Sequence, residues 1–226
     1  MASPASRELL ASPILQPLGD AALLIRFATT LTDPANRAAI ACAQTFVRDP
    51  VPGVVEVVPS LVSVLLRYDP RRAALNTLMG EVRLRLFGLS VEDVAPPVER
   101  SIPARFGGAA GPDVDEVAQM LGMAPEAFVA AHNATTLRVL ATGFAPGFVY
   151  CGFHPAELLL PRRSVVRSSV PKGSILFAAG QTAIAATEIP TGWHVIGHTD
   201  FANFDATAMP PTTLIPGDRL IFEALI

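Results

Sequence analysis

The sequence predicts an α+β protein, with an N-terminal ferredoxin-like α/β domain over residues 1–95 and a β-barrel domain over residues 96–226. Three observations carry this. The first ninety residues alternate strand-like and helix-like segments. An acidic, proline-bearing stretch, Ser90–Pro97, then has the composition of a linker. Beyond Thr136 no helical periodicity remains, and short β-rich segments are punctuated by Gly and Pro.

In order, Ala22–Phe27 is a short apolar run after the turn-forming Gly19-Asp20. Asp33-Pro34 opens a helix, Asp as the cap and Pro in the first turn. Ile40, Ala43, Gln44 and Val47 continue it until Pro50-Val51-Pro52-Gly53 stops it. Two strands follow, Val54–Val58 and Leu61–Tyr68. Asp69-Pro70 opens a second helix with Leu75, Leu78, Met79, Val82 and Leu86 on one face. A strand near Val98–Ile102 would complete the ferredoxin-like β-α-β-β-α-β order. Pro112–Leu121 and Pro125–His132 read as short helices, with Asp113 and Glu116 at capping-box spacing. The segments Arg138–Thr142, Ser174–Ala179, Ala183–Thr187, His194–His198 and Arg219–Glu223 have the rhythm of a closed or nearly closed barrel.

Composition narrows the function classes. Half of the 226 residues are hydrophobic and 16% are charged. That surplus fits either an alanine-rich, well-packed protein or one that buries apolar surface against another chain. Net charge is −3 with no clustered Lys and Arg, so no nucleic-acid partner is expected. The longest apolar runs, Val54–Val58 and Leu61–Leu66, fall far short of the roughly 20 residues of a membrane span. Met1–Pro17 lacks a basic region followed by an apolar core, so no secretion signal is expected. Cys42 and Cys151 lie far apart and form no CxxC pattern, which points to buried thiols and the cytoplasm.

Candidate site residues fall in the second half. Gly143-Phe144-Ala145-Pro146-Gly147-Phe148 is a rigid turn whose phenylalanines either plug a barrel end or rim an apolar ligand site. Arg162 and Arg163 either occupy a solvated surface or bind an anion, since guanidinium forks match carboxylate and phosphate oxygens. Pro171-Lys172-Gly173-Ser174 adds a cation and a hydroxyl, while GxxxxGK[ST] and GxGxxG are absent. Gly180-Gln181-Thr182 either makes ordinary loop hydrogen bonds or presents an amide and a hydroxyl to a small polar substrate. Trp193 lies beside His194 and near His198; the two histidines share a strand face, but no third metal ligand is spaced to join them, so no metal site is expected. GxSxG is missing.

Taken in order, GGAAGPDVDEVAQMLGM, ATGFAPGFVYCG, PRRS, VPKGSILFAAGQT, IPTGWHVIGHT and PPTTLIPGDRLIF resemble one family. It is known as the 5-oxoprolinase B subunit, allophanate hydrolase subunit 1 or KipI, a carboxyltransferase subdomain C/D family. Through PLGDAALLIRF and PGVVEVVPSLVSVLLRYDP the resemblance covers nearly the whole chain. It implies that the barrel is cyclophilin-like and that a C subunit is the partner, with an A subunit joining transiently. It also implies ATP, with magnesium and shared with those partners, and a small amide substrate, 5-oxoproline. Related activities are carboxyl transfer in urea metabolism and KipI-like inhibition of a histidine kinase.

Opening a lactam is easier once its oxygen is phosphorylated, which calls for cations against the phosphate charge and donors to hold the lactam. On this resemblance Arg162, Arg163 and Gln181 are expected in catalysis. Phe144, Pro146, Phe148, Lys172, Ser174, Thr182, Trp193 and His198 are expected around the substrate. The chain departs from the family pattern at Ala109 and Ala110 (commonly a glutamate), Ala183-Ile184-Ala185-Ala186 (Gly and aromatics), Thr191 (Gly) and His198 (Arg).

Overall fold

A computed structural model describes residues 13–89 and 96–225. The chain divides into two compact units, Met1–Pro96 and Pro97–Ile226.

The first unit is one antiparallel sheet with two helices. Its strands are β1 (Ile14–Leu18), β2 (Ala22–Arg26), β3 (Val54–Pro59) and β4 (Ser63–Tyr68), in the order β1-β2-β4-β3. Alternate residues of β2 and β4 point inward: Leu23 and Ile25 are opposite Leu66 and Val64, and all four are fully buried. They pack with Ala38, Ala39, Cys42 and Phe46 of α1 (Asp33–Arg48) and with Leu78 and Val82 of α2 (Leu75–Phe87). Burial pushes the Cys42 thiol above its ordinary value, so it stays protonated at neutral pH.

Three details differ from expectation. Thr32, not Asp33, caps α1 and accepts from the Ala35 amide at 3.4 Å, with Asp33 in the first turn. The second helix starts at Leu75 rather than Asp69-Pro70, because the Asp69 side chain accepts from the Arg71 amide and closes a separate turn. Lastly, the strand expected to complete a ferredoxin-like unit does not join this sheet. It becomes β5 (Glu99–Phe106) of the second unit.

That second unit is a closed seven-stranded barrel. Its remaining strands are β6 (Leu137–Thr142), β7 (Val149–Gly152), β9 (Ser174–Ala178), β10 (Gln181–Ile184), β12 (His194–His198) and β13 (Arg219–Ala224). Around the barrel the order is β10-β7-β6-β13-β5-β12-β9. β13 and β5 pair in parallel, from Arg219 opposite Glu99 to Ala224 opposite Ala104; the other barrel pairs are antiparallel. A separate two-stranded sheet joins β8 (Arg167–Val170) to β11 (Ile189–Thr191).

The barrel carries two apolar layers. Ile175 and Phe177 of β9 belong to a core shared with Ile102, Val139, Ile184 and Phe222, and with Val117 of α3 (Val114–Leu121) and Phe128 of α4 (Pro125–Asn133). Leu176 and Ala178, the alternate residues, belong to a second cluster with Phe148, Val170, Ile189 and Trp193. All five residues of β9 are therefore buried, because each face of the strand meets an apolar layer.

Candidate functional site

A cleft of about 400 Å³ opens on the barrel unit, lined by Arg105, Arg167 and His198, by Ser169 and Ser174, and by small apolar residues that include Ala109 and Ala110. No carboxylate is among its lining residues. One wall is the turn Gly107–Gly111, which leads from β5 to α3. Gly107 and Gly108 have φ of 70° and 52°, where residues with a Cβ are strained. Gly111 lies so close to β12 that an added Cβ would sit 2.0 Å from Ile196 O. Gly111→Ala must therefore displace backbone, and it is expected to destabilise the unit by about 1–3 kcal/mol in thermal denaturation. A variant as stable as the parent would show that this wall yields.

Asp113 ties together two residues that line the cleft, Arg167 and Val195. It is 3% exposed. Its Oδ2 accepts from the Val195 amide at 2.7 Å, while Oδ1 accepts from Arg167 NH2 and lies 3.1 Å from Arg163 NH1. Arg163 NH1 also reaches Glu116 Oε2 at 2.8 Å. Sequence spacing made Asp113 and Glu116 a capping box; here Asp113 makes no cap hydrogen bond to α3, and both carboxylates serve arginines from later segments.

A second polar cluster lies inside the barrel. Thr182 Oγ1 is 2.8 Å from His132 Nε2 and 2.8 Å from His154 Nε2, and His132 Nδ1 is 2.7 Å from Asn133 Oδ1. An amide oxygen only accepts, so His132 carries its proton on Nδ1 and Thr182 donates to His132 Nε2. Thr182 then accepts from His154 Nε2–H, which leaves His154 Nδ1 as a bare acceptor. That atom and Gln181 Oε1 are buried without a partner among the described residues. Burial holds His132 down to about 4, partly opposed by the Asn133 bond. Burial, reinforced by His132, holds His154 down to about 3. Both rings are neutral at physiological pH.

The residues expected from sequence separate into groups. Ser174 and His198 meet in the cleft, and His198 Nε2 donates to the main-chain carbonyl of Lys172 at 3.0 Å, although Lys172 itself does not line the cleft. Phe144, Phe148, Tyr150 and Trp193 form a row of ring contacts with centroids 4.8–6.0 Å apart, and Arg162 lies 5.6 Å over the Trp193 ring. Burial raises the Tyr150 phenol above its ordinary value, with Arg162 opposing. Phe144 is 71% exposed and, with Pro146, lines a groove beside Phe204 and Thr212. Thr182 and Gln181 are buried on β10, and Arg163 is held by Asp113 and Glu116. Arg105, Arg167, His132 and His154 were not singled out from sequence. Asp113 was, though only as a cap.

The model of the carboxyltransferase domain, subdomain C and D, matches residues 13–214. The chain belongs to this family. It is 32% identical over 218 residues to the 5-oxoprolinase B subunit of Bacillus subtilis (strain 168), spanning 92% of this chain and 91% of that one. It is 33% identical to the 5-oxoprolinase B subunit of Escherichia coli O157:H7, spanning 91% and 93%. Among solved structures it resembles TTHA0988 with a TM-score of 0.79 and 34% identity over 92% of this chain. There it spans only 40% of the longer chain. Kluyveromyces lactis urea amidolyase shares the fold, with a TM-score of 0.77 at 15% identity. Ala109, Ala110 and His198 line the cleft, whereas Ala183 and Ala185 belong to the second apolar cluster.

Proposed function

We propose that this chain is the B subunit of an ATP-dependent 5-oxoprolinase-type amide hydrolase. In this reading it works in the cytoplasm, partnered by a C subunit, while an A subunit joins transiently. The observation that carries it is the match, over nine-tenths of both chains, to two proteins named as the B subunit of 5-oxoprolinase.

The cleft is chemically suited to such a role. Arg105 and Arg167 offer guanidinium donors to an oxyanion. The turn Gly107–Gly111 brings backbone close to whatever occupies the cleft. ATP, with magnesium on its phosphates, would supply the phosphoryl group that makes the lactam oxygen a leaving group. This chain's own residues would hold and orient the substrate and offset its charge. Arg162 and Gln181 remain the residues proposed to act on the reaction, from outside this cleft, since Arg162 lies over the Trp193 ring and Gln181 is buried on β10, while Arg163 would act through Asp113. No helix among the described residues is long and apolar enough to cross a membrane.

The test is to co-express the chain with its C and A partners and follow ADP release on adding 5-oxoproline. Substrate-dependent ADP is expected, and Gln181→Ala should lower that rate about tenfold or more while the complex stays assembled. An intact three-part complex that releases no substrate-dependent ADP would overturn the proposal.

A further inference from the structure

We propose that the segment His154–Pro161 is a strap across the β9–β10 turn that opens by itself while the barrel stays folded, and that acid opens it. This goes beyond the amide-hydrolase reading and does not depend on it. The strap follows β7, runs through the short helix Ala156–Leu158 and leads into Arg162 and Arg163. Its backbone is tied down at both ends. The His154 amide donates to Gly180 O at 3.1 Å, and Leu160 O accepts from the Ala179 amide at 2.7 Å. Pro161 O accepts from His194 Nε2 at 3.2 Å. Leu158 and Leu160 anchor the middle in the barrel core. Two of the attachments also carry an orphaned acceptor: His154 Nδ1 and His194 Nδ1 are buried with no partner among the described residues. A buried acceptor without a partner forfeits its water and gets nothing in return. The strap is therefore held less firmly than the barrel's ladders, and such a segment opens below the free energy of global unfolding.

His154 makes the strap sensitive to protons. Its Nε2–H is committed to Thr182, so an added proton must go to Nδ1, which has no acceptor to donate to. Facing the ring are His132 of α4, with centroids 4.8 Å apart, Thr182 of β10 and Phe177 of β9. Arg138 of β6 lies 5.9 Å over the neighbouring Phe153 ring. None of these is a carboxylate, and a charged His132 or Arg138 repels a second positive charge. The ionisable groups on and after the strap are engaged elsewhere: Glu157 is exposed, Arg162 lies over Trp193, and Arg163 pairs with Asp113 and Glu116. Once the strap opens, His154 meets water and titrates as an ordinary histidine, near 6.5. In the closed strap the ring is held down to about 3. The open form therefore takes up the proton first as the pH falls, and acid shifts the population toward it. Opening also frees the chain that leads into Arg162 and loosens that guanidinium from Trp193.

The experiment is amide hydrogen exchange of the full-length chain by NMR at pH 7, 6 and 5, each rate taken relative to that of the unprotected amide at the same pH. The His154 and Ala179 amides report the strap, because both donate across it. The Phe222 amide, in the β13–β5 pair, reports the barrel. At pH 7 the two strap amides are expected to exchange through an opening at least about 100-fold more populated than the one that exposes Phe222. Between pH 7 and 5 the open population of the strap should rise about 25-fold, the gain of one histidine that titrates near 6.5 only when open. His154→Asn should abolish that rise and leave the strap opening separately from the barrel. The pH series on the parent chain decides by itself if this variant does not fold. Strap amides that exchange together with Phe222, an open population that does not change between pH 7 and 5, or a rise that persists in a folded His154→Asn chain would each overturn the proposal.

Discussion

Lowering the pH from 7 to 5 is expected to cost the barrel unit about 4 kcal/mol of stability, because His132 and His154 are buried as neutral rings. Both rings have folded values depressed below the ordinary 6.5, to about 4 and about 3. The unfolded chain therefore takes up protons first as the pH falls. Their contribution is complete above pH 6.5 and is lost as the pH drops from there toward about 3–4. At pH 5 the unfolded rings are mostly charged and the folded ones are not, which amounts to about 2 kcal/mol for each ring. Urea denaturation of the chain at pH 7, 6 and 5 reads this directly. His154→Asn removes one titrating ring and should roughly halve the pH slope. A stability that is flat between pH 7 and 5 would show that the rings can charge within the fold, contrary to their burial.

The same residues show what sequence could and could not disclose. β9, β12 and β13 were legible because apolar residues recur along them, and a closed barrel was legible from their spacing between Gly and Pro. β8, with the sequence Arg-Ser-Ser-Val, has no apolar period, and β11 is three residues long around Pro190, so neither announced itself. β5 was legible as a strand but not as a barrel strand. Its parallel partner β13 lies about 120 residues away, and no local pattern encodes that pairing. Thr182 joins histidines from α4 and from the loop after β7, a cluster that exists only once the barrel has closed. Arg167 is 54 residues from the carboxylate that holds it, whereas Asp113 and Glu116 matched a local capping pattern that long-range ion pairs displaced.

Asp113→Ala is expected to be among the most damaging single changes to the barrel unit, with a loss of about 3–5 kcal/mol. The carboxylate is 3% exposed and joins three separate segments: Arg163 after the short helix Ala156–Leu158, Arg167 on β8 and the Val195 amide on β12. Its removal leaves the buried Val195 N–H without an acceptor and strips Arg167 of its ion pair, while Arg163 keeps only the half-exposed Glu116. Asp113→Asn keeps an oxygen for Val195 and loses only the charge, so it should cost clearly less. The difference between the two variants measures the unsatisfied amide, and the remainder measures the arginines. In thermal denaturation the alanine variant should lose on the order of 10 °C or more. A loss below about 1 kcal/mol would mean that the arginines reach solvent or other partners without penalty, and Asp113 would then have no grip on the cleft. If the large loss is found, one residue both holds these segments together and fixes Arg167 at the cleft. Changes elsewhere on those segments would then reach the cleft through Asp113.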